Sequence, residues 1–454
     1  MNLQRTGHLV LLFSLLAATP VAVAQGETEV IDLDRAVELA LENNREIRIS
    51  EYDLDTSESG YQEAIGAFFP EVSISGQYTR NVKKPVIFLG DGMNFPGGGG
   101  GSGSIEVGSN NSYQAGVNAT LPIYSRQLTL ARETAARSRD LSRVNLRDTR
   151  NSVIADVKRA FHTIMMSEEL LRVTRQRVEN AKKQLETAHS QHERGLATEY
   201  DLLVAEVQLE NLKPELIQME DDLKTSVLQF KNILGITDWG NIRIEGELEP
   251  TQVYTFSEDR DRLYESLKTG NTQLQLLNRQ IQLAETSIDM ERASLHPTLS
   301  AFGNYQLLTE SDTYQFGDYD WVKTAAVGLS VQIPLFAGNS RRERITQAEI
   351  ARRQVDEQKR AAEESLQTEL ATVTNRLEQI SRRIKAADRA QIQSQRAYEL
   401  SRLRFEQGVG TQLEINDAEL SYANSQLNSL QAYFDYQLAM ITLEQLQGEL
   451  AGTK

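Results

Sequence analysis

The 454-residue chain contains no cysteine. Disulfides, thiolate metal sites and an acylated N-terminal cysteine are therefore excluded. Positive charge is in deficit, with 48 Lys and Arg against 64 Asp and Glu and a net charge of −16. A nucleic-acid binder carries a basic face, so that class is set aside. After the first 24 residues, the chain lacks the run of about 20 apolar residues that a membrane helix needs. Further membrane contact has to be peripheral or through β-strands. There is no Gly-Lys-Ser/Thr phosphate loop, and no motif joins Ser, His and Asp into a triad. A hydrolase would have no nucleophile–base constellation here, and no pattern calls for a cofactor. Proline is scarce, at nine residues, and four of them are placed in a pattern.

That pattern is a duplication. Helical stretches end at Phe69-Pro70 and at His296-Pro297, and each is followed by an alternating strand, a loop and a second strand. The second strands end in Leu121-Pro122-Ile123-Tyr124 and Ile333-Pro334-Leu335-Phe336. Each leads into a very long helical stretch, a Gly-centred turn and a shorter helix. The turns read Arg194-Gly195-Leu196-Ala197-Thr198 and Gln407-Gly408-Val409-Gly410-Thr411. The offset between equivalent positions holds at about 212–213 residues, so the halves stay in register. Pro70, Pro122, Pro297 and Pro334 mark the four helix–strand junctions, where a residue poor inside either element fits.

The N-terminus reads as a cleaved secretion signal over residues 1–24: Arg5, then a short apolar run from Leu9 to Ala18, then Ala22-Val23-Ala24. The first repeat spans 25–235, with helices 34–69, 126–194 and 198–234, strands 71–80 and 112–122, and a Gly-rich loop within 81–111. A linker, 236–261, leads to the second repeat at 262–448. That repeat has helices 262–296, 341–406 and 411–447 and strands 298–308 and 323–334, and a tail at 449–454 follows.

The strands alternate. Val72, Ile74 and Tyr78 oppose Ser73, Ser75, Gln77 and Thr79, and Val327, Leu329 and Val331 oppose Ser330 and Gln332. Phe302 falls on the polar face of its strand. Segments of about 9–11 residues suit tilted strands crossing a bilayer; four strands with one apolar face also suit a soluble sandwich. The long helices carry heptads, such as Val157, Ile164, Leu171, Val178 and Leu185, which is coiled-coil packing. Pro214 should kink its helix. The two short helices of each half, stacked end to end, match one long helix of about 100 Å. Four strands cannot close a barrel, since even the smallest has eight, so the missing strands come from other copies; three copies give twelve.

These features together resemble the TolC-like outer membrane efflux protein family over essentially the whole mature chain. The resemblance rests on Leu33-Asp34-Arg35-Ala36, Ala40-Leu41-Glu42-Asn43-Asn44, the Pro-terminated strands, the two halves and the Gly-containing turns. It implies a mainly α fold with a small β portion: a homotrimer whose twelve-stranded barrel, set in outer-membrane lipid, continues into a periplasmic α-helical barrel. It further implies a passive exit duct for efflux or type I secretion. The tip would dock on a periplasmic adaptor (membrane fusion) protein and an inner-membrane pump of the RND, ABC or MFS type.

The resemblance puts the adaptor contacts and gate at the turns holding Gly195, Leu196, Gly408, Val409 and Gly410. Asp201, Glu414 and Asp417 match the family's acidic positions and become candidate pore-constriction acids. Thr198-x-x-Asp201 and Thr411-x-x-Glu414 also read as capping boxes, with Thr198 and Thr411 as the caps. Gly410 stands where the family pattern has an arginine, and Phe405 replaces a tyrosine. His189, His192 and Glu193 share one helical turn but fall short of a full metal site. The competing class is a soluble periplasmic coiled-coil scaffold or adaptor, which would neither insert into bilayers nor form a heat-sensitive oligomer.

Overall fold

The computed structural model describes residues 29–88, 104–236, 242–250, 260–315, 319–336, 338–448 and 450. The expected signal peptide and the run Gly97–Gly103 lie outside the described residues. In chain order the elements are β1 (Glu29–Ile31), α1 (Leu33–Asn43), α2 (Arg45–Gly66), β2 (Glu71–Arg80), β3 (Val86–Phe88), β4 (Ser104–Glu106) and β5 (Asn111–Tyr124). Next come α3 (Arg126–Glu193), α4 (Glu199–Leu234), β6 (Ile242–Ile244), α5 (Arg260–Gly270) and α6 (Thr272–Ala293). The last four are β7 (Thr298–Ser311), β8 (Val322–Gln332), α7 (Ser340–Glu406) and α8 (Gln412–Gln447).

The heptads form the core of two long antiparallel pairs. In the first, α3 buries Val157, Ile164, Leu171 and Val178 and packs against α4; in the second, α7 buries Leu366, Leu370, Leu377 and Ile384 against α8. With 68 and 67 residues, α3 and α7 each run about 100 Å. α4 continues through Pro214 as one helix.

Two expected helices are each two. The stretch 34–69 breaks at Asn44 and the stretch 262–296 at Asn271. In both cases the asparagine takes an extended backbone and its Oδ1 caps the following helix, accepting from Ile47 N or Leu274 N. Its Nδ2 donates across to the end of the partner helix, to Ile233 O (2.8 Å) or Leu446 O (3.0 Å). That partner ends in a left-handed glycine, Gly235 or Gly448 (φ +71° and +70°). A Cβ on Gly235 would lie 2.4 Å from Asn43 O, and one on Gly448 2.1 Å from Gly270 O. The duplicated joint thus needs glycine for both conformation and space.

The main sheet has the order β2-β5-β7-β8, antiparallel throughout, so both repeats supply two strands and meet at β5–β7. The pairings put Val72, Ile74, Val117, Ala119, Tyr305, Val327 and Leu329 on one face. The rest of the described chain leaves this face uncovered: Ile74 is 82% exposed and Val327 89%. Phe302, on the polar face, lies directly opposite Gly328, and its ring fills the space where a Cβ would stand (2.8 Å). Pro122 does not mark the junction itself. It sits inside β5, opposite Ser300 and just before a register shift at Tyr124, the kind of irregularity where proline is tolerated in a sheet. Pro70, Pro297 and Pro334 lie between helix and strand.

The strand ends step across the sheet. At the helix end Glu71 is level, through Thr120, with Phe302, whereas β8 runs on to Gln332 opposite Thr298. At the loop end Arg80 is level, through Asn111, with Ser311, whereas β8 starts at Val322 opposite Leu308. Both ends shift the same way, by three or four residues over three strand spacings. At about 3.4 Å per residue and 4.8 Å between strands, that skew corresponds to strands tilted by about 40°.

Candidate functional site

The far end of the helices from the sheet holds the two turns. In each, a glycine in the left-handed region closes the long helix: Gly195 and Gly408 both have φ +73°. Gly195 N donates to His192 O and Leu196 N to Gln191 O (both 2.9 Å). Gly408 N donates to Phe405 O (2.9 Å) and Val409 N to Arg404 O (3.0 Å), the same closure repeated. Leu196 and Val409 project outward, 74% and 65% exposed.

Beyond these glycines the two turns diverge. Thr198 Oγ1 accepts from Asp201 N (3.3 Å), and Asp201 Oδ2 accepts from Thr198 N (2.9 Å), a complete capping box. These bonds to Thr198 hold the Asp201 carboxyl below the usual carboxylate range. Thr411 caps as well, accepting from Glu414 N (3.3 Å), but Glu414 does not reach back. Its carboxylate lies 3.7 Å from Arg404 Nη1, and Arg404 Nη2 donates to Val409 O (3.4 Å). The second box expected from sequence is therefore half a box. Arg404 also crowds Gly410, where a Cβ would meet Phe405 N at 3.1 Å and Arg404 Cβ at 3.3 Å. Phe405 is buried with Tyr398 and Ile415, so the residue without a hydroxyl belongs to the apolar core of the tip.

Asp417 lies one turn beyond Glu414, in a stripe with the exposed Leu413 and Leu420 that the single chain leaves open. It lines a groove between α7 and α8 with Ala387, Ala390, Ser421 and Asn424. The structure does not bring Asp201 beside Glu414 or Asp417 within one chain through any hydrogen bond or ion pair among the described residues. His189 Nδ1 is 3.4 Å from Glu193 Oε1, and His192 Nδ1 is 3.1 Å from Ala197 O. Among the described residues no group of three or more metal-binding side chains forms.

Sequence reasoning missed a polar ladder on α3. Arg177, Gln184 and Gln191 repeat every seventh residue, and each reaches the second repeat. Arg177 Nε donates to Glu419 (3.1 Å), Gln184 Nε2 to Tyr398 Oη (3.4 Å) and Gln191 Nε2 to Phe405 O (3.2 Å). Arg177 also holds Glu215 on α4 (2.7 Å), so one guanidinium joins three helices. The seven-residue spacing was the available signal, in a helix whose other polar residues mostly face water.

This architecture has known counterparts. The family model described as outer membrane efflux protein matches residues 36–236 and 263–449. The chain is 21% identical over 338 residues to outer membrane protein TolC of Vibrio cholerae, covering 74% of this chain and 77% of that one. It is 22% identical over 423 residues to a probable efflux pump outer membrane protein, TtgC, of Pseudomonas putida, covering 91% and 81%. The crystal structure of the outer membrane protein VceC from Vibrio cholerae superposes with a TM-score of 0.70 at 14% identity, over 92% of this chain and 96% of that one. The matched spans fall on the two repeats and take in well over half of the sequence, and the chain belongs to the outer membrane efflux protein family, whose members are channels and not enzymes.

Proposed function

We propose that three copies of this chain form the passive exit duct of a tripartite efflux or type I secretion system. The observation that carries this is the skewed four-stranded sheet, whose apolar face nothing in the described chain covers and whose edge strands, β2 and β8, are unpaired on their outer sides. Repeating it three times gives twelve strands at a tilt within the range of membrane barrels. Exposed aromatics at both ends, Tyr78 and Trp321 at the loop end and Phe69, Tyr124 and Phe336 at the helix end, suit the two interfaces of a bilayer. No described helix is long and apolar enough to cross a membrane, which leaves the strands to do so.

The helices then extend into the periplasm, and the turns at Gly195–Leu196 and Gly408–Gly410 dock on an adaptor and, through it, an inner-membrane pump. The exposed Leu196 and Val409 are the apolar anchors of that contact. Asp417 is the constriction acid: three copies would bring its carboxylates toward one axis and weight the pore for cations. Asp201 is committed to its cap and serves the turn, whereas Glu414 is shared with Arg404.

The deciding test expresses the chain with its N-terminal region, separates inner from outer membranes on a density gradient, and compares unheated with heated gels. An outer-membrane band near three times the monomer mass that collapses on heating is the expected result. A soluble periplasmic monomer overturns the reading. For the constriction, Asp417→Asn is expected to lower cation selectivity in planar bilayers; unchanged selectivity removes Asp417 from the pore axis.

A further inference from the structure

The charges of the main sheet are sorted by face. Its four strands contain two cations, Arg80 and Lys323, and two acids, Glu71 and Glu310. The pairing register puts Lys323 opposite Leu307, in the row of Ala325, Val327 and Leu329; Arg80 continues the row of Val72, Ile74 and Tyr78. Both cations therefore stand on the uncovered apolar face, and both acids on the polar one. Charge on a lipid-facing surface is costly at mid-depth and nearly free at the interface, so two cations there fix a depth.

The skew of the sheet makes that depth the same for both. Arg80 ends β2 and Lys323 is the second residue of β8, and the loop-end rim steps down between them by three residues, from Ser311 to Leu308. Lys323 thus lies one residue below a rim on which Arg80 stands. β2 and β8 are also the two edges, so closing the barrel brings Arg80 of one copy and Lys323 of the next to the same seam. Both are exposed, and among the described residues neither makes an ion pair. The Arg80 guanidinium lies over the Tyr314 ring (5.5 Å), a contact with the ring face that uses none of its N–H donors for an ion pair. The neighbouring Lys84 is already held by Asp312 (2.9 Å).

We propose that Arg80 and Lys323 form, at each of the three seams, a binding site for the phosphate groups of lipid headgroups at the outer rim. The site rests on the trimeric barrel reading above. A guanidinium forks onto phosphate oxygens and an ammonium adds a point charge beside it, while the exposed apolar rows below receive the acyl chains. A lysine on an edge strand also serves to block pairing with stray strands. That role predicts no lipid.

The trimer, extracted from outer membranes in mild detergent, is subjected to native mass spectrometry after incubation with lipid A, with lipid A stripped of its phosphates, or with lipid A plus millimolar inorganic phosphate. Wild type is expected to retain lipid A, and Arg80→Lys/Lys323→Arg to retain it comparably. Arg80→Gln/Lys323→Gln should bind roughly thirtyfold more weakly, at about fivefold per cation. Phosphate-free lipid should not be retained. Equal retention by the glutamine variant, equal retention of phosphate-free lipid, or full displacement by inorganic phosphate, which marks a free-anion site, each overturns the proposal. Unheated gels keep the two readings apart. A glutamine variant that remains a heat-sensitive trimer yet loses lipid supports the site, and a wild-type trimer that holds no lipid removes the site and leaves the channel. A wild-type chain that forms no outer-membrane oligomer removes both.

Discussion

The two repeats close their long helices with the same backbone and different side chains. Gly195 and Gly408 share one φ value and one pair of bonds. After them the first turn satisfies itself, Thr198 with Asp201, whereas the second gives its acid to Arg404 on the preceding helix. Backbone geometry is set by chain direction and glycine, so it survives duplication. Side-chain partners depend on what neighbours supply, so they diverge. The same contrast separates the joints from the tips: the joint glycines Gly235 and Gly448 are pressed against backbone, while Gly195 and Gly408 at the tip have open space around them.

The joint-versus-tip contrast gives the largest expected effect. Gly448→Ala puts a methyl group 2.1 Å from a backbone oxygen at positive φ and is expected to destabilise by several kcal/mol. Gly408→Ala meets only the left-handed conformational penalty, about 1–2 kcal/mol. Thermal melts of the detergent-solubilised protein that ranked the two equally would break the distinction.

A second contrast lies in the buried polar groups of α3 and α7. His162 is buried with Nδ1 unpartnered, and burial, with a smaller contribution from Lys158, pulls its pKa down to about 4 from 6.5. In the corresponding turn of α7, Thr374 is buried with its hydroxyl bonded to Leu370 O (2.9 Å) and has nothing to titrate. The unfolded chain takes up the His162 proton below pH 6.5 and the folded chain only near pH 4. Stability is therefore complete above 6.5 and falls by about 3 kcal/mol as pH drops through that window. His162→Gln is expected to flatten melting temperature between pH 6.5 and 4; an unchanged slope would assign the acid sensitivity elsewhere.

The caps give the smallest effect. Thr198→Ala removes one side of a reciprocal pair and should cost about 1 kcal/mol; Thr411→Ala should cost less, because Glu414 keeps Arg404. Equal losses in paired melts would show that reciprocity adds nothing.

Alternation and heptads made the sheet and the long helices legible, because each reports a periodicity set by one element's own geometry. The interruptions at Asn44 and Asn271 are written in the sequence as Asn43-Asn44 and Gly270-Asn271, but the apolar spacing on either side continues and reads as one helix. Their cause is a helix end far away in sequence, 189 residues for Asn44, at Ile233, and 175 for Asn271, at Leu446. Phe302 looked misplaced until Gly328 appeared across the strand pair. The Glu414–Arg404 contact and the Arg177 ladder join separate helices, and no local pattern encodes which helices meet.

The short parallel pair of β1 and β6 has a consequence for how the chain is made. Glu29–Ile31 pairs with Ile242–Ile244, so the first described residues wait for a segment more than 200 residues later. Ile31 is fully buried among Ala36, Phe161 and Ile244. The first repeat therefore completes this part of its core only with a strand from the linker that follows it. A chain ending at Gly235 would hold its opening strand without a mate, and the pair closes a span of more than 200 residues, a long-range contact that is slow to form.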